Sequence, residues 1–79
     1  MNYFLGGTML FGGSYAPTNW LPCDGRLLPI AQYTALLSIL GTTYGGDGRT
    51  TFALPKLASP LPGMIYIICV EGIYPSHEE

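Results

Sequence analysis

Charge is what this chain has least of. Aspartate, glutamate, lysine and arginine make up 10% of its 79 residues, against about 25% in ordinary globular proteins. The basic residues are Arg26, Arg49 and Lys56. Three scattered cations build no basic patch, which argues against binding nucleic acid through its phosphates. Metal ligands are as scarce: Cys23, Cys69 and His77 are too few for a structural site. The two cysteines could pair, but two buried thiols are the commoner outcome in a chain without a cysteine framework. Nucleophiles lack bases. Ser14, Ser38 and Ser59 have His77 alone as a candidate, and no G-x-S-x-G elbow occurs. Asp24 and Asp47 are the sole carboxylates before the last nine residues, so paired acid–base work has little to draw on. These absences predict a protein that is not an enzyme and needs no cofactor. The N-terminal Met1-Asn2-Tyr3-Phe4-Leu5 has no basic leader, and Gly6-Gly7 interrupts its apolar run. The longest apolar run, Met64 to Val70, falls well short of the about 20 residues that span a membrane. The expectation is therefore a soluble product of the cytoplasm with no membrane partner.

Apolar residues are abundant instead, at 48%. A chain this short buries only about 60% of its unfolded surface, so its own core is marginal. Too few polar groups exist to cover a lone monomer, which favours burial against copies of itself or a partner. Six tyrosines, Tyr3, Tyr15, Tyr33, Tyr44, Tyr66 and Tyr74, suit such contacts, because each ring buries a large area at modest entropy cost.

The most informative stretch is Leu36 to Pro55. It reads as a helix end, a glycine-rich loop, a short strand over Thr50 to Leu54 and a proline stop. Gly41 fits the left-handed C′ position after the helix. Gly48 is expected at positive φ, and Asp47 is expected to accept hydrogen bonds from nearby amides. The loop Gly45-Gly46-Asp47-Gly48 lacks the Gly-Lys-Ser/Thr of a phosphate-binding loop and follows a helix rather than preceding one. Asp47 is the one acidic residue in it, which argues against calcium.

Elsewhere the chain predicts a first strand over Leu5 to Phe11. Asp24-Gly25 between Leu21–Cys23 and Arg26–Leu28 reads as a type I′ hairpin, with Pro22 limiting the first arm to an edge strand or a plain extended segment. A single helix is expected over 31–40, since Ala35, Leu36, Ile39 and Leu40 share one face. Tyr33 and Thr34 would then point outward or toward a neighbouring subunit. The segment 64–70, apolar on both faces, is expected to be a central strand or to lie at an interface. Trp20 is read as a core anchor, the alternative being a sugar-stacking platform. The triplet Asp-Gly-Arg occurs at Asp24-Gly25-Arg26 and at Asp47-Gly48-Arg49. Each Asp is expected to cap its own turn and each Arg to lay its stem on apolar surface, the alternative being a charged recognition surface. Residues 76–79 read as a flexible tail carrying a solvated His77.

Two blocks of fixed spacing carry a resemblance. Trp20-x-x-Cys23-Asp24-Gly25-Arg26-x-Leu28-Pro29-Ile30 and Leu40-Gly41-Thr42-Thr43-Tyr44-Gly45-Gly46-Asp47-Gly48-Arg49-Thr50-Thr51-Phe52-Ala53-Leu54-Pro55 together resemble the phage tail collar domain. That family includes the collar of short tail fibres and the microcystin-dependent proteins of bacteria. The likeness runs from about Gly6 to Leu57, and Glu71 to Ser76 is similar to the closing motif of the latter group. It implies a small α+β domain over residues 1–75, with one helix, several short and mostly antiparallel strands, and a closing strand at 64–70. It also implies a structural module of a virion or tail-like particle, homo-oligomeric and trimeric. The chain departs from the family at Ala31, where a helix-capping serine is usual, and at Lys56, where an acid is common. After Pro55 a short connector, Lys56 to Gly63, replaces the family's long variable insertion. That loss supports an alternative: a standalone bacterial adaptor that recognises a partner protein or glycan, or that activates a neighbouring effector by assembling. Interface or binding residues on either reading are Trp20, Asp24, Arg26, Tyr33, Tyr44, Asp47, Arg49, Tyr66, Ile67 and Tyr74.

Overall fold

Five short strands and one helix follow one another in a computed structural model that describes residues 3–75. They are β1 (Thr8–Phe11), β2 (Trp20–Pro22), β3 (Leu27–Pro29), α1 (Thr34–Leu40), β4 (Thr51–Ala53) and β5 (Ile65–Cys69). The antiparallel strands form two sheets, one ordered β1-β5-β2 and the other β3-β4. The expected tail at 76–79, with His77, lies outside the described residues.

Of the two places expected for the closing strand, central or at an interface, it takes the central one. Its Ile68 joins the main core cluster, while Ile67 points to the opposite face and is still only 1% exposed. The core cluster takes Leu28 from β3, Leu36 from α1, Phe52 from β4 and Ile68 from β5, so both sheets and the helix share one interior. Phe52, fully buried, is its largest member. Burial of such a side chain is worth about 1.5–3 kcal/mol. Trp20 is not in the cluster and is only half-buried. The anchor expected at Trp20 is supplied by Phe52, because β2 is an edge strand and Trp20 reaches the rim of the sheet rather than its middle.

Helix α1 starts three residues later than the apolar pattern predicts. Residues 30–32 form a turn instead, in which the Pro29 carbonyl accepts the N–H groups of Gln32 and Tyr33 at 3.3 and 3.2 Å. Tyr33 stands at the N-cap with no side-chain capping bond, and Ala31 has no oxygen to offer one. With seven residues and no acid in its first turn, α1 depends on packing Leu36 into the core. At its end Gly41 does take a positive φ of 61°, but its ψ of −155° is far from the left-handed helical value expected.

The Asp24-Gly25 hairpin does not form. β2 pairs with β5 and β3 pairs with β4, so the turn carries the chain from one sheet to the other. Gly25 has positive φ, but Asp24 does not, and a type I′ turn needs both. The Asp24 carboxylate instead accepts the Arg26 N–H at 3.1 Å, which closes a side-chain turn. The first strand is also shorter than the expected Leu5 to Phe11. Gly6, at φ 86°, bends the chain, and Leu5 before the bend is buried and donates to the Ile73 carbonyl at 2.7 Å.

Candidate functional site

The two Asp-Gly-Arg triplets build two different turns. In the second, the Asp47 carboxylate accepts the backbone N–H groups of Arg49 and Thr50 at 2.8 Å and of Thr51 at 3.0 Å. The Thr50 hydroxyl adds a bond of 2.9 Å. The amides of Thr51, Thr50 and Arg49 hold this carboxyl well below the usual range. All of its partners, Arg49, Thr50 and Thr51, lie within four residues of Asp47, so its lone pairs are turned inward on its own loop. Arg49 stays exposed. In the first triplet, Arg26 pairs with Asp24 at 2.9 Å, the one ion pair among the described residues. The hydrogen bond from the Arg26 side chain is the main cause of a lowered Asp24 pKa. Asp24 caps its own turn, as expected. Arg26 is committed to that carboxylate as well.

Gly46 is the tightest point of the glycine loop. It sits at φ 96°, and a Cβ on it would come within 2.4 Å of the Phe52 Cα and 2.7 Å of the Thr51 carbonyl oxygen. The loop therefore lies directly on β4, and the Ala53 N–H donates to Gly45 at 3.1 Å. Gly48 has the positive φ expected of it, 74°. The loop is a clamp on the strand that carries Phe52.

The remaining predicted residues are spread over several surfaces. Trp20 meets Tyr3 edge to face, with ring centroids 5.0 Å apart and planes at 80°. Both line a cavity of about 290 Å³ with Asn19, Glu71 and Ile73. Asp24 and Tyr66 lie along another cleft, of about 450 Å³, between the connector residues Lys56 to Ser59 and the strand ends at Pro22 and Ile65. Tyr33 packs partly against the core cluster and does not project outward as the helical pattern predicts. Tyr44 and Tyr74 are exposed, and the Tyr74 hydroxyl is 2.7 Å from the Ser38 hydroxyl on α1. Ile67 is buried within the single chain, so the folded subunit presents no surface at that position. These residues do not converge on one pocket.

Cys23 and Cys69 are free, buried thiols. Burial raises both pKa values, and Asp24 adds to the effect at Cys23. Among the described residues, no three of His, Cys, Asp and Glu are placed to hold a metal ion. No described helix is long and apolar enough to cross a membrane.

Two features were missed in the sequence. One is the cleft, whose wall includes Leu57 and Ala58 of the connector. The other is the outer edge of β1, where Thr8 and Met9 are exposed. A signal for the edge does exist. Residues 3–23 contain no charged side chain, and the first proline of the chain is Pro17. Charge and proline, two of the usual guards of a free strand edge, are therefore absent from β1.

A sequence model described as the phage tail collar domain matches residues 6–62, well over half of the chain. No curated protein and no solved structure matches it.

Proposed function

The chain belongs to the phage tail collar domain family, and from that premise we propose that it is a tail-fibre-like structural module that works by associating with copies of itself. The observation that carries this reading is the surface. Phe4, Tyr15, Leu27, Tyr44, Leu61, Ile73 and Tyr74 are all exposed, Phe4 by 61% and Tyr15 by 77%. The chain has few charges to offset them, and Asp24 and Arg26 spend theirs on each other. Apolar area on this scale in so small a domain is covered when subunits meet. The family resemblance gives a threefold assembly as the expected form, within a virion or a tail-like particle. Where the family resemblance implies an insertion after Pro55, this chain has the exposed connector Lys56 to Gly63. The module on this reading is a building unit without a variable recognition tip. Its chemistry is packing, with no reaction step.

Sedimentation velocity over a hundredfold dilution series tests the reading. The expected result is a discrete oligomer that dissociates at the dilute end. A single chain's mass at every concentration would remove self-association from the account.

A further inference from the structure

The three-stranded sheet has one closed edge and one open edge, and this decides how copies can join through it. Hydrogen-bond parity fixes which groups face outward. On the β2 side, Val70 donates to Asn19 and Cys23 donates to Tyr66, so residues 19, 21 and 23 bond to β5. Trp20 and Pro22 therefore direct their backbone groups away from the sheet. The Trp20 N–H is already given to the Pro17 carbonyl at 3.0 Å, and Pro22 has no N–H. This edge offers no free donor to an incoming strand.

The β1 side is the reverse. Cys69 donates to the Gly7 carbonyl at 2.8 Å, and the register continues as Met9↔Ile67 and Phe11↔Ile65. Gly7, Met9 and Phe11 thus bond to β5, while the N–H and C=O groups of Thr8 and Leu10 point outward. Outside the β1–β5 ladder, no hydrogen bond among the described residues reaches those four groups. No charge or proline guards them, and Thr8 is exposed; the bulge that sets Gly6 and Gly7 against Cys69 lies before Thr8 and leaves the register of residues 8–11 regular.

The geometry points to β1 as a strand-pairing surface whose occupant is β1 of a second copy, in antiparallel register about Met9. This inference rests on the self-association proposed above and names its surface. The match is self-complementary: Thr8 exchanges both backbone bonds with Leu10 of the second copy, and Leu10 does the same with Thr8 of the second copy. The absence of charge from residues 3–23 means that two copies meet with no like-charge repulsion at the seam. Because β2 is closed, a second strand cannot add at the far edge. Pairing by this route stops at two copies and builds a six-stranded sheet ordered β2-β5-β1-β1-β5-β2. It cannot run on into a filament. A threefold interface elsewhere on the subunit would combine with it to give an even number of chains.

Cysteine cross-linking tests it on the full chain. Across the axis, the two Met9 residues form a non-hydrogen-bonded pair with Cα atoms about 4.5 Å apart, inside the range of a disulfide. The two Thr8 residues are diagonal neighbours about 7–8 Å apart, at or beyond its limit. Mild oxidation should convert most of Met9→Cys to a covalent dimer and leave Thr8→Cys at least tenfold less cross-linked. The native thiols are buried and stay out of the reaction. Thr8→Pro deletes an outward N–H and no bond to β5, so it should keep the fold by circular dichroism and lose the paired form. An oligomer in which Met9→Cys does not cross-link, or which Thr8→Pro leaves intact, overturns the β1 pairing while preserving self-association. A monomer at all concentrations overturns both.

Discussion

Replacing Gly46 with alanine should destabilise this protein far more than the same change at Gly48, two residues on. Both glycines have positive φ, 96° and 74°. Forcing an alanine into such a conformation costs about 1–2 kcal/mol at either site. The surroundings then differ. At Gly48 the nearest atom to a new Cβ is the Thr42 methyl at 3.4 Å, an ordinary contact. At Gly46 the Cβ would lie 2.4 Å from the Phe52 Cα, 2.7 Å from the Thr51 oxygen and 2.9 Å from the Phe52 nitrogen. All three are backbone atoms of β4, so relief requires moving the strand that holds the fully buried Phe52. Overpacking of this kind adds about 1–3 kcal/mol. The expected losses are therefore about 1–2 kcal/mol for Gly48→Ala and about 2–5 kcal/mol for Gly46→Ala. A domain of this length has a total of about 4–12 kcal/mol to lose. Urea unfolding followed by Trp20 fluorescence gives both values, and the two midpoints should be well separated. Equal midpoints would show that the loop does not clamp β4 and would refute the reasoning.

Other perturbations follow from the same contacts. Ile67→Asp places a carboxylate at a position that is 1% exposed with no partner charge described nearby, so soluble folded protein should be lost; a soluble variant with native circular dichroism would contradict the central placement of β5. Asp47 and Asp24 both have lowered pKa values, so their stabilising bonds are complete above the ordinary carboxylate pKa and fade as pH falls below about 4. The melting temperature should drop over that acid range, and Asp47→Asn should lower it at pH 7 while flattening the drop. Cys23 and Cys69, buried and shifted upward, should react with iodoacetamide at pH 8 only after denaturant is added; fast labelling of the native protein would place a thiol at the surface.

Periodicity and glycine placement made part of this fold legible. The two-faced apolar run 64–70 was expected to be central or at an interface, and Pro22 to lie on an edge or in an extended segment; β5 is central and β2 is an edge strand. Asp47 was legible as a cap because aspartate before glycine offers its oxygens to the amides that follow. The helix start was not, because apolar spacing marks a face and not an end, and Ala31 supplies no capping group to mark one. The supposed hairpin failed because Asp-Gly reports a turn without saying which strands it joins. Here Cys23 pairs back to Tyr66, while the Arg26 carbonyl accepts from Leu54 in the other sheet. The size of Trp20 suggests a core position, but its strand is too short and peripheral to bring it there. The candidate surfaces were the least legible. Which tyrosines face outward, and which β1 amides remain free, depends on long-range register between β1, β2 and β5 that no local pattern encodes.

Amide hydrogen exchange at Thr8 and Leu10 tests the central claim, self-association through the open edge, most directly. At concentrations where the oligomer forms, both amides should be protected about as well as Met9 and Ile67, and on dilution they should lose that protection while Ile67 keeps its own. Exchange at Thr8 and Leu10 that stays fast in the assembled protein would contradict the account and place the contact between copies elsewhere.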